Sequence, residues 1–98
     1  RKMAEEHLER GVTCVKVKTG LDVEGDIARV RAVREVTPKH IPVTTDSNCG
    51  WTLREAKHCL RELADVKLLL AEQPIPPGDA AALAELRNST PTPIMADE

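Results

Sequence analysis

The repeating unit of the fold is clearest in residues 41–63, which read IPVTTDSNCGWTLREAKHCLREL. The first part, Ile41–Asp46, is a β-branched and aliphatic run that ends in an acid, and this composition predicts a β-strand. Thr52 and Glu55 then form an S/T-x-x-E capping box, which predicts a helix over Leu53–Leu63. Because the run is continuous rather than alternating, we expect the strand to be covered on both faces.

The same unit recurs along the chain. Strands are predicted over Val12–Thr19, Ile41–Asp46, Val66–Glu72 and Thr92–Asp97. Helices are predicted after Asp22, over Leu53–Leu63, over Asp79–Leu86, and over Arg1–Arg10 as the end of an earlier helix that stops at Gly11. Strands separated by helices run parallel, with right-handed crossovers in nearly all cases. The sequence therefore predicts an α/β protein with about four parallel strands.

Two architectures satisfy this order, a doubly wound open sheet and a closed (β/α)8 TIM-type barrel. The strand ends favour the barrel, because Lys18, Asp46, Glu72 and Asp97 each stand at or near the C-terminal end of a run. That end forms the catalytic rim of a barrel. The Gly-rich first turn that is typical of a doubly wound nucleotide-binding sheet does not occur in the sequence. We therefore expect a partial TIM-type barrel.

The composition is that of a segment of a larger core. The 98 residues contain one Trp and no Phe or Tyr, although aromatic side chains usually supply large buried areas. A complete barrel runs to about 250 residues. We therefore expect residues 1–98 to be an internal segment of a barrel domain, and to be inactive and prone to self-association when expressed alone.

Charge and cysteine usage narrow the class of protein. The formal net charge is −2 and the basic residues are scattered, whereas a nucleic-acid-binding protein needs a basic face. No apolar run approaches the roughly 20 residues of a membrane span. Cys14, Cys49 and Cys59 are odd in number and lack a CxxC spacing. We expect a reduced, cytoplasmic protein that binds neither nucleic acid nor membrane.

Three acids are spaced by one strand–helix unit each. Glu72 follows Asp46 by 26 positions, and Asp97 follows Glu72 by 25, so we expect equivalent places on three consecutive strands. Neighbouring strands lie roughly 4.8 Å apart, and three carboxylates that close require a cation. All-oxygen ligands suit Mg²⁺ or Mn²⁺. The sequence has no His or Cys at these strand ends, which argues against Zn²⁺. The alternative for any one acid is a helix N-cap or a solvated loop charge.

One strand earlier, two lysines share a face. Side chains alternate along a strand, so Lys16 and Lys18 point the same way. Two ammonium groups inside a barrel lumen repel each other and lose solvation, which favours a neutral amine that can act as a general base. The alternative is that both lysines point outward into solvent beside the helices.

Four short motifs follow one another along the chain: Val15-Lys16-Val17-Lys18, Asp46-Ser47-Asn48 with Gly50-Trp51, Glu72-Gln73-Pro74, and Met95-Ala96-Asp97-Glu98. In order and spacing they resemble the barrel motifs of the mandelate racemase/muconate lactonizing enzyme branch of the enolase superfamily. The last two motifs are more similar to the muconate lactonizing group. The likeness covers nearly the whole chain.

The resemblance implies a metal site and a base. It implies Mg²⁺ bound by Asp46, Glu72 and Asp97. A shift of one position would exchange Asp97 for Glu98, but the interval from Glu72 and the family motif both favour Asp97. It implies that Lys18 removes a proton next to the carboxylate of a small substrate, through an enediolate stabilised by the metal. The implied reactions are racemisation or epimerisation, cycloisomerisation, and dehydration.

The resemblance also implies supporting roles. Lys16 would favour the neutral form of Lys18 and help to hold the substrate carboxylate, and Asn48 would lie beside the metal or the substrate. Ser47 stands where the family commonly has Ala, a departure that we expect to be tolerated. Trp51 at a loop-to-helix junction is interpreted as a packing residue rather than a stacking platform for substrate.

The family has an N-terminal capping domain that selects the substrate, and its muconate lactonizing group uses a second lysine on a later strand. We expect both to lie outside residues 1–98, which would form part of the C-terminal catalytic barrel. The resemblance further implies a homo-oligomeric parent protein. The alternative is a non-catalytic fragment or degenerate homologue with a packing or assembly role, against which the intact lysine pair and the three acids argue.

Overall fold

The structure, a computed structural model, describes residues 14–96. Its elements are β1 (Val15–Lys18), α1 (Val23–Val36), β2 (Val43–Asp46), α2 (Leu53–Glu62), a 3₁₀ helix (Ala64–Val66), β3 (Leu70–Glu72), α3 (Ala80–Ser89) and β4 (Ile94–Met95). The helix predicted over Arg1–Arg10 and its end at Gly11 lie outside the described residues, as do Asp97 and Glu98.

The four strands form one parallel sheet in the order β1-β2-β3-β4. Each strand pairs with its neighbour in sequence, so the strand order does not reverse within residues 14–96, as it would in a doubly wound sheet. Crossovers between parallel strands are right-handed in nearly all cases, which puts α1, α2 and α3 on the same side of the sheet. In agreement, α2 contacts both α1 and α3. The sheet is open, and it has the topology of half a TIM-type barrel.

The core lies between the sheet and the three helices. It contains Val15 and Val17 of β1, Val30 of α1, and Leu60 and Leu63 at and just beyond the end of α2. The two faces of the sheet therefore differ. The prediction that the strands are covered on both faces is confirmed only in part. Three successive residues of β2 are buried, whereas β1 alternates buried and exposed positions. Within residues 14–96, no helix combines the length and the apolar character needed to cross a bilayer.

The predicted third strand begins too early. The prediction started it at Val66, but Ala64–Val66 is a 3₁₀ helix, and Lys67 adopts a left-handed conformation with φ of 60° before the strand begins at Leu70. The chain must reverse after α2, and Leu68 is buried within that connection. Periodicity cannot distinguish a buried apolar connection from a buried strand, which explains the error.

The predicted starts of α1, α2 and α3 are confirmed, because each of these three α-helices begins at a side-chain cap. Asp22 accepts a hydrogen bond from Gly25 N and Asp79 from Ala82 N. The capping box is complete, since Thr52 Oγ1 accepts from Glu55 N at 3.1 Å and Glu55 Oε1 accepts from Thr52 N at 2.9 Å. These caps satisfy backbone N–H groups that lack partners inside a helix.

The loops that follow β1 and β2 contact each other through two glycines. A Cβ added to Gly20 would lie 2.3 Å from the Ser47 carbonyl oxygen, and one added to Gly50 would lie 2.4 Å from the Gly20 carbonyl oxygen. Both contacts are with backbone, which cannot move aside as a side chain can. The two loops therefore pack at a distance that only glycine permits.

Gly20→Ala is expected to destabilise the protein by about 3 kcal/mol, because the new methyl group both overpacks the loop contact and forces a non-glycine residue to a positive φ. Gly78→Ala is the matched control. Gly78 has a similar φ of 92°, but a Cβ there meets nothing within 4 Å, so only the conformational cost of about 1 kcal/mol is expected. Denaturant unfolding of both variants of the complete protein measures the difference. Equal losses would contradict the close packing of the loops.

Candidate active site

Three of the predicted site residues lie side by side at the C-terminal edge of the sheet. Lys18 pairs in register with Asp46, and Asp46 pairs with Glu72. Their neighbours Val17, Thr45 and Ala71 are buried on the helix side, so the lysine and the two acids project from the other face. Parallel register thus brings one ammonium and two carboxylates from three strands to the same height.

The two carboxylates meet at the side chain of Lys16. Lys16 Nζ lies 3.2 Å from Glu72 Oε1 and 3.9 Å from Asp46 Oδ2. The Lys16 side chain is 46% exposed, whereas Asp46 and Glu72 are 19% and 26% exposed. The lysine therefore reaches along the sheet from the preceding layer and partly neutralises two acids that would otherwise repel each other.

The prediction that Asp46, Glu72 and Asp97 occupy equivalent places on three consecutive strands is wrong for the third strand. Glu72 pairs with Met95, so Met95, and not Asp97, stands at the position equivalent to Asp46 and Glu72. Equal spacing in sequence gave the wrong equivalence because it counts loop residues as well as strand residues. Asp97 lies outside the described residues, and within residues 14–96 no group of three potential metal-binding side chains is present. Its role as a ligand stays a prediction.

The loop after Asp46 is held in a strained and well-bonded conformation. Asn48 N donates a hydrogen bond to Asp46 Oδ1 at 3.0 Å, which fixes one carboxylate oxygen while the other faces Lys16. Asn48 and Cys49 both have positive φ, of 48° and 63°, and Gln73 after β3 has φ of 46°. Non-glycine residues in this region are uncommon and cluster at functional sites.

Backbone hydrogen bonds continue the sheet beyond the strand ends. Ser47 N donates to the Glu72 carbonyl at 3.1 Å, Cys49 N to the Gln73 carbonyl at 2.7 Å, and Gln73 N to the Met95 carbonyl at 2.7 Å. These bonds satisfy the groups that the left-handed residues turn away from the regular ladder. The loops that carry the site therefore extend the hydrogen bonding of the sheet beyond its strands.

Two buried hydroxyls lie at the ends of β1 and β2. Thr19 Oγ1 and Ser47 Oγ are 2.7 Å apart, and both residues are almost fully buried. They follow Lys18 and Asp46 in sequence, so their bond joins the ends of β1 and β2. Ser47 stands where the family that the motifs resemble commonly has Ala. Its hydroxyl has a hydrogen-bond partner, the hydroxyl of Thr19.

Sequence reasoning missed Asp26. This residue stands in the first turn of α1 and is 0% exposed, although an acid there normally only complements the helix dipole in solvent. Its carboxylate accepts the indole N–H of Trp51 at 2.9 Å. Trp51 is itself buried, which confirms its packing role. The sequence does show an acid just after a glycine-containing loop and in the first turn of a helix. That Asp26 is buried, however, depends on Trp51 in the loop after β2, which local sequence does not reveal.

The remaining histidines and cysteines do not join this group. His58 on α2 lies 3.9 Å from Glu24 and is about half exposed, and His40 is exposed before β2; His7 lies outside the described residues. The three cysteines are free thiols. Burial, followed by the negative charge of Asp26, raises the pKa of the Cys59 thiol to about 12, so this thiol is not a nucleophile at neutral pH.

The chain is similar to a known protein family and to several enzymes of known activity. A family model described as enolase C-terminal domain-like matches residues 1–98. The hydrophobic dipeptide epimerase of Enterococcus faecalis is 38% identical over 95 residues, which are 97% of this chain and 27% of that protein. The L-Ala-D/L-Glu epimerase of Bacillus subtilis is 38% identical over 98 residues, again 97% of this chain and 27% of that protein.

A solved structure extends the likeness to the backbone. The crystal structure of a racemase from Streptomyces coelicolor with bound magnesium superimposes with a TM-score of 0.92 at 31% identity, and the match covers 99% of this chain and 28% of that chain. The chain thus spans about a quarter of the length of the proteins that it matches.

Lys16→Met is expected to tighten the binding of Mg²⁺ or Mn²⁺ about fivefold, because the ammonium group competes with any cation for Asp46 and Glu72. The factor corresponds to about 1 kcal/mol, the upper range for exposed ion pairs. Titration calorimetry of the complete protein with Mn²⁺ measures the affinity. Lys39→Met, at an exposed lysine before β2, is the matched control and should leave the affinity unchanged. Weaker or equal binding by Lys16→Met would contradict the competition.

Proposed function

Because the chain belongs to the enolase C-terminal domain-like family, we propose that the complete protein is a Mg²⁺-dependent racemase or epimerase. It removes a proton from the carbon next to a substrate carboxylate and returns a proton to that carbon. The observation that carries the proposal is the register of Lys18, Asp46 and Glu72 on one face of the sheet. The relatives named as dipeptide epimerases support a dipeptide, or an amino acid with a blocked amino group, as substrate.

The side chains present fit a hard divalent cation. Asp46 and Glu72 offer carboxylate oxygens on adjacent strands, and the Lys16 ammonium already lies between them as a positive charge. Oxygen-only donors are the ligands that Mg²⁺ takes in proteins. Asp46 and Glu72 would hold the ion, with Asp97 as the proposed third ligand. When bound, Mg²⁺ supplies Lewis acidity that stabilises negative charge developing on the substrate carboxylate.

Lys18 is the proposed base. It stands next to Asp46 at the same height, so a substrate carboxylate held at the acids brings its neighbouring carbon toward the Lys18 side chain. Lys18 Nζ takes the proton from that carbon, because a carbon-bound proton is a very weak acid and its removal needs a base positioned against it.

Lys16 and Asn48 have proposed roles in binding. With a metal ion held by Asp46 and Glu72, the half-exposed ammonium of Lys16 would be available to the substrate carboxylate. Asn48 is exposed at the start of the loop after β2, where its side chain can contact bound substrate. Return of the proton from the opposite side requires a second acid, which would lie on a later strand of the barrel.

Lys18→Ala is expected to lower the exchange of the substrate α-proton with solvent deuterium by about 10³-fold, within the range for loss of a general base. The assay follows deuterium incorporation into L-Ala-L-Glu and hydrophobic dipeptides by NMR, using the complete protein with Mg²⁺. Divalent-metal affinity should be unchanged, because Lys18 is not among the proposed ligands.

Lys39→Ala is the control for that experiment and should exchange as fast as the wild type. Undiminished exchange in Lys18→Ala would remove Lys18 from the mechanism. A wild-type protein that binds Mg²⁺ but exchanges none of the dipeptides would reject the dipeptide substrate, and dehydration or cycloisomerisation of another carboxylate would be tested next.

Asp46→Asn and Glu72→Gln are each expected to weaken Mn²⁺ binding about 100-fold or more, since even changes outside the ligand sphere cost 10–100-fold. Both substitutions keep the shape of the side chain, and Asn at position 46 can still accept the hydrogen bond from Asn48 N. Glu35→Gln, at an exposed position on α1, is the control. Unchanged affinity in both site variants, together with absent proton exchange in the wild type, would favour the non-catalytic alternative.

A further inference from the structure

The buried carboxylate of Asp26 joins the two loops that follow the site residues Lys18 and Asp46. Its Oδ2 accepts hydrogen bonds from three successive backbone N–H groups of the first loop: Gly20 at 2.9 Å, Leu21 at 3.2 Å and Asp22 at 3.3 Å. Such a series of N–H groups forms a concave anion-binding nest. One side chain thereby fixes the backbone that leaves β1.

The same oxygen also holds the second loop. Trp51 Nε1 donates to Asp26 Oδ2 at 2.9 Å, and Trp51 N donates to the Pro74 carbonyl at 3.1 Å. Trp51 is thus attached both to the loop after β3 and to the start of α1. A displacement of Asp26 would release the loop that carries Asn48 as well as the loop that follows Lys18.

A third connection reaches the strand end itself. Arg29 Nη1 donates to Asp26 Oδ1 at 2.8 Å and to the Lys18 carbonyl oxygen at 3.2 Å. The guanidinium group of Arg29 therefore connects the backbone of Lys18, the proposed base, to the buried carboxylate of Asp26. The side chain of Asp26 is thus bonded to the loop after β1, to the loop after β2 and, through Arg29, to the end of β1.

We propose that Asp26 is a positioning residue for the reaction, which sets the placement of Lys18 relative to Asp46 through Trp51 and Arg29. The inference rests on the proposed function of these two residues. Asp26 lies behind the strand ends on the helix side and acts through its neighbours.

The energetics of the cluster support this role. A buried charge is costly, and a well-packed apolar group of similar volume often stabilises a fold equally well. Burial alone would raise the pKa of the Asp26 carboxyl, but the hydrogen bonds from Arg29, Trp51 and the backbone N–H groups of Gly20 and Asp22 outweigh it and hold that pKa below its usual value. A fully bonded carboxylate fixes the directions of its partners, which an apolar side chain cannot do.

Trp51→Phe tests the proposal most cleanly, because it removes the indole N–H and keeps most of the buried ring. In the complete enzyme, kcat for α-proton exchange is expected to fall about tenfold, whereas KM and Mn²⁺ affinity change less than threefold. Measurement well below the unfolding temperature keeps the variant folded. Asp26→Asn should lower kcat further, and the double variant should lose less than the product of the single losses.

Hydrogen–deuterium exchange of the backbone gives a readout that is independent of catalysis. In Trp51→Phe and in Asp26→Asn, the protection factors of residues 19–22 and of residues 47–52 are both expected to fall, by about tenfold. Asp79→Ala is the matched control: it removes the N-cap of α3 and lowers the unfolding temperature, but should leave kcat and the protection of both loops unchanged.

The outcomes separate the two proposals. A lower unfolding temperature in Trp51→Phe with unchanged kcat and unchanged loop protection would overturn the positioning role and leave Asp26 a stabilising residue. If the wild type exchanges no substrate proton, the proposed function fails. The connection that Asp26 makes between the two loops is then judged by the hydrogen–deuterium protection of those loops alone. Joint loosening of both loops would support it, and loosening confined to residues 47–52 would overturn it.

Discussion

Backbone hydrogen bonds between parallel strands hold Lys18, Asp46 and Glu72 at one height, and the other features of the site follow from that register. Each strand pairs with the next in sequence, so all three helices cover the same face and, within residues 14–96, the opposite face carries no helix. The side chains of Lys18, Asp46 and Glu72 lie on that opposite face, away from the apolar core between the sheet and the helices. The alternation of side chains along each strand thereby separates the charged groups from the apolar ones.

The carboxylates of this chain are compensated in two different ways. Asp46 and Glu72 share the flexible, half-exposed ammonium of Lys16, a partner that solvent or another cation can replace. Asp26 is fully buried and receives directed hydrogen bonds from backbone, indole and guanidinium groups. The first arrangement suits a site that binds and releases a cation, and the second suits a fixed support.

Strain in the loops is offset by the sheet. Asn48, Cys49 and Gln73 hold left-handed conformations that cost of order 1–2 kcal/mol each for L-residues. Their segments donate hydrogen bonds to carbonyls of the next strand or loop, and Gly20 and Gly50 let the first two loops touch. The edge of the sheet is thus over-determined by contacts, which allows the chain to keep conformations that an isolated loop would leave.

The sequence by itself determined the order of strands and helices, the capping box at Thr52 and Glu55, and the shared face of Lys16 and Lys18. These depend on local periodicity and on contacts within a few residues, which a sequence displays directly. Tertiary structure alone decided that Met95 pairs with Glu72, that residues 64–66 form a 3₁₀ helix, and that Asp26 is buried against Trp51. Register and burial depend on how helices and loops pack across segments 20 or more residues apart, and the number of residues in a connection does not specify the height at which the next strand pairs.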